Sequence, residues 1–121
     1  MTLSAIGQIG ITVRDVERAV AFYRDALGIR FLFRAPNMAF FDCGGVRLMM
    51  GPSEEPAQSF SSIIYFKVDD IQAAAEELKS RGVAFDREPH LVAKMADHHL
   101  WMAFFRDPDG NTLALMCEMR R

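Results

Sequence analysis

Three histidines, a glutamine at the head of an apolar strand and a set of soft side chains are the residues of this chain with chemistry to offer. An unperturbed imidazole has a pKa of about 6.5, so His90 and His98 are the candidate general bases. His98 and His99 are adjacent in a stretch that reads as a strand. Their side chains therefore point to opposite faces and cannot chelate one ion together. A site of two histidines and a carboxylate would need His90, which follows Pro89 in a segment expected to be irregular, to converge with one of that pair and an acid. The plainer alternative leaves one of the pair solvated and the others hydrogen-bonded locally. Gln8, Tyr65 and Lys67 are candidate donors to a substrate oxygen. Arg34 and Arg47 are placed to reach an acidic substituent or to stand as solvated rim charges. Asp107, within "DPDGN", is read as hairpin chemistry and not as a catalytic acid.

These residues must be positioned by a repeated set of elements. Val13, Asp15 and Val16 recur as Val68, Asp70 and Ile71, each time where an alternating strand ("QIGITVRDV" from Gln8, "IIYFKVDDI" from Ile63) runs into an acidic helix start. Asp15, and Asp69 or Asp70, are natural N-caps. Val16, Ala19, Val20 and Tyr23 fall on one helical face, as do Ile71, Ala74, Ala75 and Leu78, and Gly28 and Gly82 close the two helices. Three strand-like pieces follow each helix: "IRFLFR", "MAFFDCG" and "VRLMMG", then "VAFDREP", "LWMAFF" and "TLALMCE". "CGG" and "DPDGN" read as hairpin turns. The order is βαβββ twice, an α+β fold in which one helix covers one face of each curved antiparallel sheet. One domain is expected, with a first repeat over about residues 6–53, a polar linker over about 51–60 and a second repeat over about 61–119.

The duplication, together with "ITVRDVERAVAFYRDALG" and "FFRDPDGNTLAL", resembles the vicinal oxygen chelate superfamily of glyoxalases, bleomycin-resistance proteins and extradiol dioxygenases, over nearly the whole chain. That resemblance implies a glyoxalase-like fold with a cleft between the sheets, and a common tendency to form homodimers. In its metal-dependent members the ligands sit at the start of the first strand and in the last strand of each half. Carried over, those positions hold Gln8, Met49, Ile63 and Ala114. Ile63 and Ala114 have no donor atom and Met49 is a soft thioether, whereas a catalytic site for a hard or borderline ion needs about three oxygen or nitrogen ligands. A divalent metal is therefore disfavoured, and Gln8 is read as a pocket-lining hydrogen-bonding residue or a structural one before a metal ligand.

If Ile9, Ile11 and Val13 face the helix, the opposite face carries Gln8 and Thr12, and the matching register adds Ile63, Tyr65, Lys67, Met102, Phe104, Ala114 and Met116, with Met49 from the fourth strand. Such a lining suits a flat, largely apolar ligand. Trp101 is expected on the core side. The 121 residues carry 14 basic and 16 acidic side chains with no basic block, which disfavours nucleic acid and anionic membrane as partners. No apolar run approaches the ~20 residues of a membrane span. The start "MTLSAIG" lacks an export signal, and Cys43 and Cys117 read as free thiols, so a cytoplasmic location is expected. The functional expectation is a binder of a small apolar or aromatic molecule in a metal-free cleft. A metal-independent isomerase or lyase with a histidine base, and a metal-dependent glyoxalase-like lyase, are the alternatives. Whether the protein is an enzyme is left open.

Overall fold

The computed structural model describes residues 3–52 and 62–120. They fall into two compact units on either side of the Gln58/Ser59 boundary. The linker expected over 51–60 lies, apart from Gly51 and Pro52, outside the described residues.

The first unit runs β1 (Gln8–Thr12), α1 (Val16–Val20) with a π-helical continuation (Ala21–Ala26), β2 (Arg30–Ala35), β3 (Met38–Cys43) and β4 (Val46–Gly51). The second runs β5 (Ile64–Lys67), α2 (Ile71–Ser80), β6 (Phe85–Lys94), β7 (His98–Arg106) and β8 (Thr112–Arg120). The sheet orders are β1-β4-β3-β2 and β5-β8-β7-β6, so the βαβββ repeat read from the sequence is present in both units. The antiparallel expectation holds for the three later strands of each unit. The first strand joins parallel, β1 to β4 and β5 to β8. The helix carries the chain from one edge of the sheet to the other, and the meander returns strand by strand until its last member meets the first.

Each helix starts where a carboxylate can satisfy free N–H groups. The Asp15 side chain accepts from Arg18 N, and the Asp70 side chain from Ala73 N, both at 3.1 Å. Asp70, not Asp69, is the second cap. The end of α2 is a Schellman closure around Gly82 (φ 91°), with Val83 N–H reaching Leu78 O and Gly82 N–H reaching Lys79 O. The first helix departs from the expected α-period. Beyond Val20 its bonds widen to i→i+5, with Leu27 N–H donating to Phe22 O at 3.0 Å. Val16, Ala19 and Val20 of α1 and Tyr23 of the π-helical turn are nevertheless all buried.

The core of the first unit joins those side chains to Ala39, Phe41, Leu48 and Met50 on one face of its sheet. In the second unit Ile71, Ala75 and Leu78 of α2 share burial with Ala103, Phe105, Leu113, Leu115 and Cys117. Each large apolar side chain so buried contributes roughly 1.5–3 kcal/mol. Trp101 alternates with Met102 and pairs with the buried Cys117, which puts it on the core side, half-buried. Gly44 (φ 61°) and Gly45 (φ 93°) form the two-residue β3–β4 turn that only a residue without Cβ adopts freely. In the β7–β8 turn the Asp107 carboxylate, 5% exposed, binds Asp109 N, Asn111 N and Asn111 Nδ2 at 2.9, 2.8 and 2.7 Å. Both cysteines are free, and burial, with Asp42 adding to it, pushes the Cys43 thiol up. No described helix is long and apolar enough to cross a membrane.

Candidate functional site

In each unit the sheet face opposite the helix carries the candidate residues. In the first unit, β1 and β4 pair Gln8 with Arg47 and Gly10 with Met49, while β3 pairs Phe40 with Met49. Both ends of the Gln8 amide are engaged. Its Oε1 accepts from Arg47 Nε at 2.8 Å and its Nε2 lies 3.5 Å from Met49 Sδ. The Arg47 guanidinium carbon lies 5.7 Å from the centroid of the Phe40 ring. Phe33 stacks on Phe40, with centroids 4.6 Å apart and planes at 21°. Beside them, Thr12, Met38, Met49 and Gly51 line an open hollow of about 520 Å³, closed at one end by the Pro36–Asn37 turn. Three of the expected residues, Gln8, Thr12 and Met49, therefore meet on one surface.

Phe33, Phe40 and Met38 were not among the expected residues, and a β-bulge is the reason for the first of them. Phe31 pairs with Phe41 and Phe33 with Phe40, so the extra residue Leu32 turns two phenylalanines of like parity to opposite faces. Arg34, a candidate for an acidic substituent, is instead committed to Glu17 and to the Met38 carbonyl.

In the second unit the register places Tyr65 and Phe104 beside Ala114, and Lys67 and Met102 beside Met116. Tyr65 meets Phe104 edge-on at 6.2 Å between centroids. Two of the expected residues differ in setting from their neighbours. Ala114 lies on this face, but it is fully buried between its cross-strand neighbours and offers no accessible surface to a ligand. Ile63 sits one residue ahead of β5, 38% exposed, because strand pairing begins only at Ile64.

His90 also departs from expectation. It lies within β6, paired with Met102, and not in an irregular segment. Pro89 occupies a bulged stretch between Arg87 and His90, where a strand tolerates its missing N–H. The ring of His90 lies 6.2 Å from that of Phe104, and its Nδ1 is 2.8 Å from Glu88 O. A carbonyl can only accept, so Nδ1 carries the proton and Nε2 is left as the basic nitrogen of the neutral ring. His98 shares a face with Met102 but lies four residues along β7, about 13 Å away, so the two histidines do not act at one point. Its Nδ1 is 2.7 Å from Asp97 Oδ1 and its Nε2 is 3.8 Å from Glu118 Oε2. The His98 ring beside Asp97 holds that carboxyl below the usual carboxylate range. The two carboxylates flank opposite nitrogens, which suits an orienting pair and not a common ion. His99, one residue on, pairs with Lys94 and Met119.

The implied ligand positions offer few hard donors. In the first unit the only hard donor at the implied ligand positions, Gln8 Oε1, already faces the positive guanidinium of Arg47. In the second, Ile63 and Ala114 present only carbon. Among the described residues no three His, Cys, Asp or Glu side chains gather as a metal-binding group.

The chain has counterparts among known proteins. The uncharacterized protein YraH of Bacillus subtilis (strain 168) is 29% identical over 89% of this chain and 94% of its own length. A glyoxylase-like domain-containing protein of Didymella fabae is 32% identical, over 91% of each. The crystal structure of lactoylglutathione lyase from Agrobacterium tumefaciens superposes with a TM-score of 0.78, covering 96% of this chain and 95% of that one; at 20% identity it bears on the fold alone. Residues 5–115 match the profile of the Glyoxalase/Bleomycin resistance protein/Dioxygenase superfamily, and the chain belongs to that superfamily.

Proposed function

We propose that this protein binds a small, largely apolar or aromatic molecule without the help of a divalent metal, as a cytoplasmic homodimer. The observation that carries this reading is the Gln8–Arg47 hydrogen bond, which commits to a cation the oxygen a metal would need. The surroundings agree with it. Phe33, Phe40 and Met49 in one unit, and Tyr65, Met102 and Phe104 in the other, are polarizable side chains suited to a flat apolar partner. Full-length protein stripped with EDTA is titrated with naphthalene-based probes, followed by Trp101 fluorescence. Saturable binding of unchanged affinity after stripping is expected. Binding lost on stripping and restored by a divalent ion would overturn the reading. Sedimentation at micromolar concentration is expected to give twice the 13.7 kDa chain mass, and a single-chain mass would rule out the dimer.

A second reading, a metal-independent isomerase or lyase, is favoured by His90. Its tautomer is fixed by Glu88 O and its free nitrogen lies on the open face beside Phe104. EDTA-resistant exchange of a proton next to a carbonyl, followed in D2O, is expected to vanish in His90→Ala and survive in His98→Ala. Exchange that persists in His90→Ala excludes this base.

A further inference from the structure

The charge left on Arg47 says more about what the hollow takes. Five arginines, Arg24, Arg34, Arg81, Arg106 and Arg120, are neutralised by carboxylates. Arg47 is oriented instead by a neutral amide, that of Gln8, which fixes its Nε and leaves the positive charge in place. Among the described residues its two Nη atoms have no hydrogen-bond or ion-pair partner, and Asp42, its cross-strand neighbour, forms no ion pair with it. The guanidinium is further held by its contact with Phe40 at 5.7 Å, itself backed by Phe33. Two residues along β4, about 7 Å away, Met49 opens into the hollow of about 520 Å³. A pre-oriented, unneutralised guanidinium fork at the edge of an apolar hollow matches a planar acceptor bidentately. The register places Arg30 on the same face, but across Asp42, whose carboxylate stands between the two cations. Arg47 alone borders the hollow, so the match is to a single carboxylate and not to a phosphate dianion.

We infer that the ligand is an apolar or aromatic monocarboxylic acid, its carboxylate on the Arg47 Nη atoms and its body against Met49 and the hollow. This rests on the metal-free binding reading and narrows it to a chemical class. The test compares 2-naphthoic acid with 2-naphthamide, of the same shape without the charge, on EDTA-stripped full-length protein at low salt by calorimetry. A preference for the acid of roughly tenfold or more is expected, as for a charge-assisted bidentate bond. Arg47→Met is expected to abolish that preference, and Arg47→Lys to keep part of it; since Arg47 is exposed, both variants are expected to melt as the parent does. Equal affinities for acid and amide in the parent would overturn the carboxylate assignment while leaving metal-free binding intact. A preference that survives in a folded Arg47→Met would overturn Arg47 as the anchor. Failure of both compounds to bind would count against the parent reading and this one together.

Discussion

Phe41→Ala is expected to lower the unfolding free energy by about 3–5 kcal/mol, the range for emptying a well-packed aromatic site. Phe41 is fully buried, and its ring is wedged between Tyr23 at 6.0 Å and Phe31 at 5.5 Å. It also pairs with Leu48, itself buried, so no flexible neighbour stands ready to refill the space. The π-helical turn adds to the effect, since Tyr23 is held from the helix side by that turn and cannot follow the missing ring. Phe33→Ala is the matched control. Its ring is 48% exposed and stacks on Phe40 at the surface, so a loss of about 1 kcal/mol or less is expected. Urea unfolding followed by circular dichroism reads both, with coincident transitions from far-ultraviolet and Trp101 signals checking that the two units unfold together. A Phe41→Ala loss no larger than that of Phe33→Ala would contradict the packing described.

The second large effect is at a polar residue. Asp107→Ala is expected to cost about 3 kcal/mol, because one nearly buried carboxylate organises the whole β7–β8 turn. Asp107→Asn keeps the acceptor that the Asp109 and Asn111 N–H groups use and loses the charge, so a smaller cost is expected. The turn sets the register that puts Phe104 beside Ala114 and Met102 beside Met116. Loss of ligand affinity should therefore accompany the loss of stability in Asp107→Ala. Undiminished stability in that variant would show the turn to be held by its backbone bonds alone.

Much of this architecture is legible in the sequence because it rests on local rules. Asp15 and Asp70 are caps by chemistry, Gly44 and Gly45 a turn by steric freedom, and the apolar spacing of each helix points to its buried face. The duplicated order gives the alignment of β1 with β5 and of β4 with β8, and with it the side chains that share each open face. What the sequence does not disclose depends on non-local pairing. The bulge at Leu32, which reverses Phe33, is set by β3 and not by residues 30–35 themselves. His90 is carried into a strand by its ladder with Met102, against the local signal of Pro89. The widened turn over Ala21–Ala26 leaves no mark in an apolar pattern that an α-helix would satisfy equally well. The Gln8–Arg47 bond is a cross-strand pair, visible only once β1 is known to run parallel to β4.

Metal-free binding depends on that pair. Elemental analysis of protein purified without chelator, followed by calorimetric titration with Zn2+, Ni2+, Mn2+ and Fe2+, tests it most directly. The prediction is no stoichiometric metal as purified and no saturable uptake of any of the four ions. A tightly held ion in stoichiometric amount, lost in Gln8→Ala, would show that Gln8 Oε1 serves a metal and not Arg47, and would contradict the account.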